Sequence, residues 1–318
     1  MTRTPNRFEA LLRCTLCMLL AAPACASSQL QAQAAKTSAS ATHAWVARSN
    51  ELAQILVRAQ GAFDPEGFSD YGLSEYDAKS TDLALDREPR WRAASEAAKR
   101  ELEAALKVEQ DARVRQDLQL LIQAADRGVR SSALRERLLL PFFDIPKVIF
   151  YGVQGLLSEQ VAAKRRGKAL PRLERYVGLA SGTQPLAALA REHWEKRASN
   201  TALLRPSRLE VERVLESADA LKQGVHALFA QYKIAGANKA LALLDQQLDA
   251  YISWTRATVL PAARADTILP PELYSMMLED VGVDIDPRVL LKNAQLEFVE
   301  TRSAMQLLAQ RIAHDRGQ

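Results

Sequence analysis

One stretch constrains this chain more than any other: Leu138 to Leu157, LLLPFFDIPKVIFYGVQGLL. Pro141 and Pro146 each lack an N–H and clash with the preceding turn, so no single helix runs through it. Asp144 and Lys147 interrupt its apolar character, and the broken backbone ladder rules out a bilayer span. Phe142, Phe143, Phe150 and Tyr151 put four aromatic rings in it. Gly152 and Gly155 let another element approach closely. The stretch reads as a buried, kinked segment on which other helices pack, each buried Leu, Ile or Phe contributing about 1.5–3 kcal/mol. Its periodicity does not by itself exclude a short buried strand.

The first 26 residues have a different character. Arg3, Arg7 and Arg13 precede the short apolar run Cys14–Ala22, and Ala24-Cys25-Ala26 offers small residues at a cleavage point, the pattern of an export signal. Two processing routes follow. Cleavage after Ala26 releases a soluble chain, whereas acylation makes Cys25 a lipid-anchor candidate at a new N-terminus. Cys14, Cys17 and Cys25 are the only cysteines, so residues 27–318 hold neither a disulfide nor a thiol nucleophile. With 48% hydrophobic residues over 318 positions, an ordinary core can carry stability without cross-links. Removing residues 1–26 takes three arginines and one glutamate from a net charge of +4 and leaves +2. That balance argues against a nucleic-acid footprint. Lys164-Arg165-Arg166 is the one tight basic run and reads as a solvated helix end before Gly167. Residues 27–44 are small and polar and read as a flexible linker.

From residue 45 onward the period is helical. Trp45, Leu52, Ile55 and Leu56 share a face. GAFDPEGFSDYGLSEYD (61–77) breaks the pattern and reads as a loop, of the sort that lines sites or packs structurally. Glu88-Pro89 and Asp111 open two helices that form an antiparallel hairpin, the second marked by Gly128 as its end. Thr183 is the expected N-cap of the next long segment and Ser207 that of the one after. Leu241 to Val259 forms a long stripe ending at Pro261. A short helix starts within 267–274 and stops at Gly282. Asp286-Pro287 starts the last helix, whose apolar positions Leu290, Ala294, Phe298, Thr301, Met305, Leu308 and Ile312 recur every three or four residues. The expected fold class is all-α, an irregular multi-helix array.

Chemistry-bearing patterns are sparse. His43, His193, His226 and His314 are the only histidines, and none is followed by Glu, so the His-Glu helical zinc pattern is missing. His226 reads as a packed or capping histidine. Glu279, Asp280, Asp284 and Asp286 lack calcium-loop spacing and read as capping and turn residues. There is no nucleophile elbow, phosphate loop or dinucleotide fingerprint. No catalytic or metal residue is assigned.

Four stretches then take on meaning together: LLLPFFDIPKVIFYGVQGLL (138–157), ERYVGLASGTQPLAALA (174–190), ATVLPAARADTILPPELYSMMLEDVGVDI (257–285) and LEFVETRSAMQLLA (296–309). In order and spacing they resemble the bacterial family catalogued as domain of unknown function 885. The resemblance implies a helical, exported or lipid-anchored protein of the periplasm. It also implies a longer chain whose C-terminal half carries His-Glu followed by Pro-Gly-His and looks like a zinc metallopeptidase. This sequence contains neither a His-Glu nor a Pro-Gly dipeptide. The expectation is therefore a domain over 45–318 resembling the N-terminal half of a metallopeptidase-like fold. No cofactor is expected in this chain, with zinc implied only for full-length members. Expected partners are peptides, with no nucleic acid and a membrane only through a lipid anchor. The alternative is a stand-alone helical peptide- or protein-binding module. Without the other half, the Leu290–Ile312 face of the last helix is expected to lie exposed.

Overall fold

A computed structural model describes residues 44–317. The export-signal reading, the linker up to 43, His43 and Cys25 lie outside the described residues. Among those described there is no β-strand, and helices follow one another along the chain. They are α1 (44–61), α2 (Pro65–Asp70), α3 (Arg87–Val108), α4 (Ala112–Leu138), α5 (Ile145–Gln154), α6 (Ala163–Arg166) and α7 (Ala169–Tyr176). Then come α8 (Leu186–Arg197), α9 (Arg208–Gln231), α10 (Asn238–Trp254), α11 (Leu260–Ala262), α12 (Pro271–Asp280) and α13 (Pro287–Asp315). A 3-10 turn, Ser74–Tyr76, follows α2, and a π turn, Thr255–Val259, joins α10 to α11.

Local capping chemistry sets four of the described helix starts. Asp111 accepts from the Arg113 N–H, Asp144 from Lys147, Ser207 from Glu210 and Asp286 from Arg288, each removing an orphan donor of the first turn. Pro146 and Pro287 sit in the first turn, where no N–H is needed. Two local readings fail. Thr183 does not cap α8; its hydroxyl donates back to the Ala180 carbonyl and Pro185 occupies the cap position. Gly128 does not end α4, which runs ten residues further to Leu138. The glycine is there because the Trp91 ring of α3 lies against it: a Cβ would sit 2.8 Å from Cη2 of that ring.

Three apolar cores form. The first joins Leu52, Ile55 and Leu56 of α1 to Leu102, Val114 and Leu118 of the α3–α4 hairpin. The second and largest is organised around α5, where Ile145, Ile149 and Val153 meet Leu173 and Tyr176 of α7, Val225 and Phe229 of α9, and Leu244 of α10. The third gathers Leu140, Trp194, Leu203, Val211 and Val259. The 138–157 stretch thus runs between cores as expected, but only its second half is helical. Residues 139–144 lie outside any helix, and the Leu140 N–H donates to the Leu204 carbonyl in one isolated parallel bridge rather than a sheet. Phe143 is half-buried, edge-on to His193.

Candidate functional site

The chemically densest place in the fold is where the 61–81 segment meets α5, α6 and α7. That segment is not an open loop: it folds into α2 and the 3-10 turn and is held by polar side chains of α6 and α7. Arg172 of α7 is fully buried. Its guanidinium donates to the carbonyls of Gly152 at 2.6 Å, Tyr76 at 3.0 Å and Lys79 at 3.0 Å. The fork of an arginine suits this work, since its donors are fixed in one plane and its charge is not given up on burial. One helix turn on, the Tyr176 hydroxyl donates to Glu66 Oε1 at 2.7 Å, and the Thr81 N–H donates to the same oxygen at 2.7 Å.

Beside this lies a second pair. Asp77 is buried; it accepts from the Ser69 hydroxyl at 2.8 Å and from both Nε and Nη2 of Arg165. Arg165 also donates to the Ser69 carbonyl at 2.7 Å. The basic run Lys164-Arg165-Arg166 does end a helix before Gly167, but of the three only Lys164 is left to solvent. Arg165 ties the 61–81 segment down, and Arg166 donates to the Ser158 and Glu159 carbonyls while lying over the Tyr232 ring. Two glycines make the approach possible: a Cβ on Gly152 would lie 2.0 Å from the Tyr176 hydroxyl, and one on Gly155 2.0 Å from Asp70 Oδ1.

The carboxylates here diverge in acidity. Burial pushes Glu66 up, against the hydrogen bonds from Tyr176 and Thr81 and the charge of Arg172. Burial also acts on Asp77, but there the bonds from Arg165 and Ser69 prevail and its pKa falls. Burial drives the Tyr176 phenol well up. Such perturbation marks either a site or a structural network. The partners decide for a structural one: all the donors of Arg172 that bond within the protein go to main-chain carbonyls, and Glu66 is satisfied by a phenol and an amide. None of Arg172, Glu66 or Tyr176 was singled out by sequence reasoning. The only signal available was the paired glycines, which announce a close approach but not what approaches.

The sequence-flagged histidines and acids are not brought together. His193 is buried and its Nε2 lies 3.1 Å from the Leu83 carbonyl. His226 is neither packed in a core nor at a helix end where it could cap; it is half-exposed and faces Asp245 across α9 and α10 at 2.8 Å, beside Lys222 and Asp249 in an open surface depression. His314 lies at the end of α13. Among the described residues no group of three or more His, Cys, Asp or Glu side chains could hold a metal ion. Glu279 and Asp280 do not cap a helix: Arg130 bonds Glu279 at 2.6 Å, Arg127 donates to its carbonyl, and Arg135 lies 3.6 Å from Asp280, so α12 is fastened to α4.

What remains is a surface. α13 is 29 residues long and buries none of them. Its large apolar side chains stand in solvent, with Phe298 and Met305 both 65% exposed, and Leu291, Leu296, Val299, Leu307 and Leu308 also exposed. A helix apolar on more than one side ordinarily sits inside a protein. Exposure on this scale marks an interaction surface. Of the described elements, this one has the least intramolecular reason to exist as it is.

A family model described as "Bacterial protein of unknown function (DUF885)" matches residues 65–318. No curated protein and no solved structure matches the chain. The matched span begins at α2 and takes in the Arg172 network, the α5-centred core and the exposed α13. On that match the chain belongs to the bacterial family of unknown function DUF885.

Proposed function

We propose that this chain is the N-terminal, non-catalytic half of an exported protein resembling a zinc-dependent peptidase or carboxypeptidase. The observation that carries the reading is α13, whose exposed apolar side chains call for a covering layer that the described residues do not supply. In this reading a second half would lie over α13 and bring the metal ligands, while the present half supplies the scaffold and one wall of a peptide groove. The protein would work in the bacterial envelope, in the periplasm or tethered through Cys25. Reading the DNA directly downstream in all three frames tests this. A His-Glu-x-x-Pro-Gly-His coding region is expected, and its absence refutes the reading.

A second reading is favoured by a separate observation. The three apolar cores draw no side chain from α13, so they close without it. The chain would then be a stand-alone periplasmic binding module for peptides or proteins. It predicts a single cooperative unfolding transition by near- and far-ultraviolet circular dichroism. A molten product lacking near-ultraviolet signal refutes it.

A further inference from the structure

We propose that α13 pairs with α13 of a second copy of this chain, antiparallel, as a short two-stranded coiled coil. The inference rests on α13 alone and belongs with the stand-alone reading, since a second half lying over α13 would occupy the same face. The spacing is the first ground. Leu291, Phe298, Met305 and Ile312 recur at intervals of seven, and Ala294, Thr301 and Leu308 fall three residues after the first three of them. Those are the a and d positions of three heptads, the 3.5-residue period that keeps a seam turned toward a partner helix. Every one of these residues is exposed, so the seam is unoccupied within the described residues.

The second ground is how the seam fits itself. Run antiparallel about residue 303, Phe298 faces Leu308 of the second copy, Thr301 faces Met305, and Ala294 faces Ile312. Small residues then oppose large ones at the Thr301–Met305 and Ala294–Ile312 layers, Phe298 meets Leu308 between them, and Leu291 reaches the level of Asp315 at the end of the seam. A parallel pair would set Phe298 on Phe298 and Thr301 on Thr301.

The third ground is charge. Glu297 and Arg311 occupy flanking g positions, and in the antiparallel pair g faces g, so Glu297 of each copy meets Arg311 of the other, twice. Within one chain these side chains are about 21 Å apart along the helix and cannot touch. Arg302 faces its own copy at the two-fold axis, a cost that two ion pairs and the apolar seam must exceed. The other described helices precede α13, so the antiparallel arrangement sets those of the two copies at opposite ends of a paired stretch about 43 Å long.

Sedimentation velocity of the full chain, with charge reversals, tests this. The wild-type chain is expected to show a concentration-dependent monomer–dimer equilibrium. Glu297→Arg alone and Arg311→Glu alone should each weaken the dimer roughly tenfold to thirtyfold, two ion pairs being replaced by two like-charge contacts. The double variant E297R/R311E should recover the wild-type affinity. A wild-type chain that stays monomeric up to about 100 μM, where even a weak pair would register, overturns the proposal. So does a dimer indifferent to both reversals. Rescue of Glu297→Arg by Arg302→Glu instead of Arg311→Glu would establish a parallel pair and overturn the antiparallel one. Because every substituted residue is exposed, far-ultraviolet spectra of all variants should match the wild type.

Discussion

Replacing Arg172 with Met should be among the most damaging single changes in this chain. The substitution keeps the length of the side chain and removes its donors. The consequences differ for the three carbonyls Arg172 bonds. The Tyr76 carbonyl keeps a second partner, the Lys79 N–H at 3.0 Å. The Lys79 carbonyl belongs to an exposed residue, and water can replace the lost bond. The Gly152 carbonyl is in the last turn of α5, where helical carbonyls lack intrahelical donors, and its bond to Arg172 is buried. It loses its partner outright. Glu66 and Asp70 lose a positive neighbour at the same time. One orphaned buried acceptor costs about 1–3 kcal/mol, and a second charge-assisted bond about 1.5–3 kcal/mol, while the thioether regains some apolar contact. The expected loss is about 3–5 kcal/mol, a large part of the 5–15 kcal/mol typical of a folded domain. Urea unfolding followed by tryptophan fluorescence measures it, as a fall in midpoint with an unchanged slope. Arg172→Lys should recover only part, since an ammonium cannot reach three carbonyls in one plane. A loss under about 1 kcal/mol for Arg172→Met would refute the reasoning and show that water reaches the Gly152 carbonyl.

Three further outcomes follow from the same coordinates. Gly152→Ala places a methyl 2.0 Å from the rigidly buried Tyr176 hydroxyl and should destabilise by about 2–3 kcal/mol in urea titration, despite alanine's better helix propensity. Glu66→Gln keeps the oxygen that accepts from Tyr176 and Thr81 but removes the charge. Since burial raises the pKa of Glu66 above 4.5 in the fold, the native state holds its proton longer than the unfolded chain, and wild-type stability falls as pH rises from 4.5 through the folded value. The variant should therefore equal the wild type at pH 4 and exceed it at pH 7 in thermal melts; a constant difference between those pH values would contradict this. The pair Phe298→Glu with Met305→Glu should leave folding stability within about 0.5 kcal/mol, because both side chains stand in solvent, and should improve solubility. Unfolding of that variant would mean that both residues are packed inside the protein, where two unpaired charges are not tolerated.

Features that depend on a few neighbouring residues were legible in the sequence. Asp111, Ser207 and Asp286 cap the helices they precede, and Pro146 and Pro287 sit in first turns, because a cap is satisfied by amides two or three residues away. The all-α class followed from sustained helical period, and the breaks in 138–157 from its prolines. Gly128 was misread for the opposite reason. A glycine inside a helix and a glycine ending one look alike along the chain, and only the Trp91 ring from another helix distinguishes them. Thr183 failed likewise, its hydroxyl turning back to a closer carbonyl.

What tertiary structure alone decided is where the charges go. Nothing near Arg172 in sequence distinguishes it from a surface arginine, yet it is fully buried because the carbonyls of residues 76, 79 and 152 converge on it from segments 20 to 96 positions away. Arg165 is drawn inward by Asp77, 88 residues earlier. The apolar face of α13 was visible as a period, but a period cannot say whether a face is covered. Burial is a property of what stands opposite, and opposite α13 the described residues place nothing.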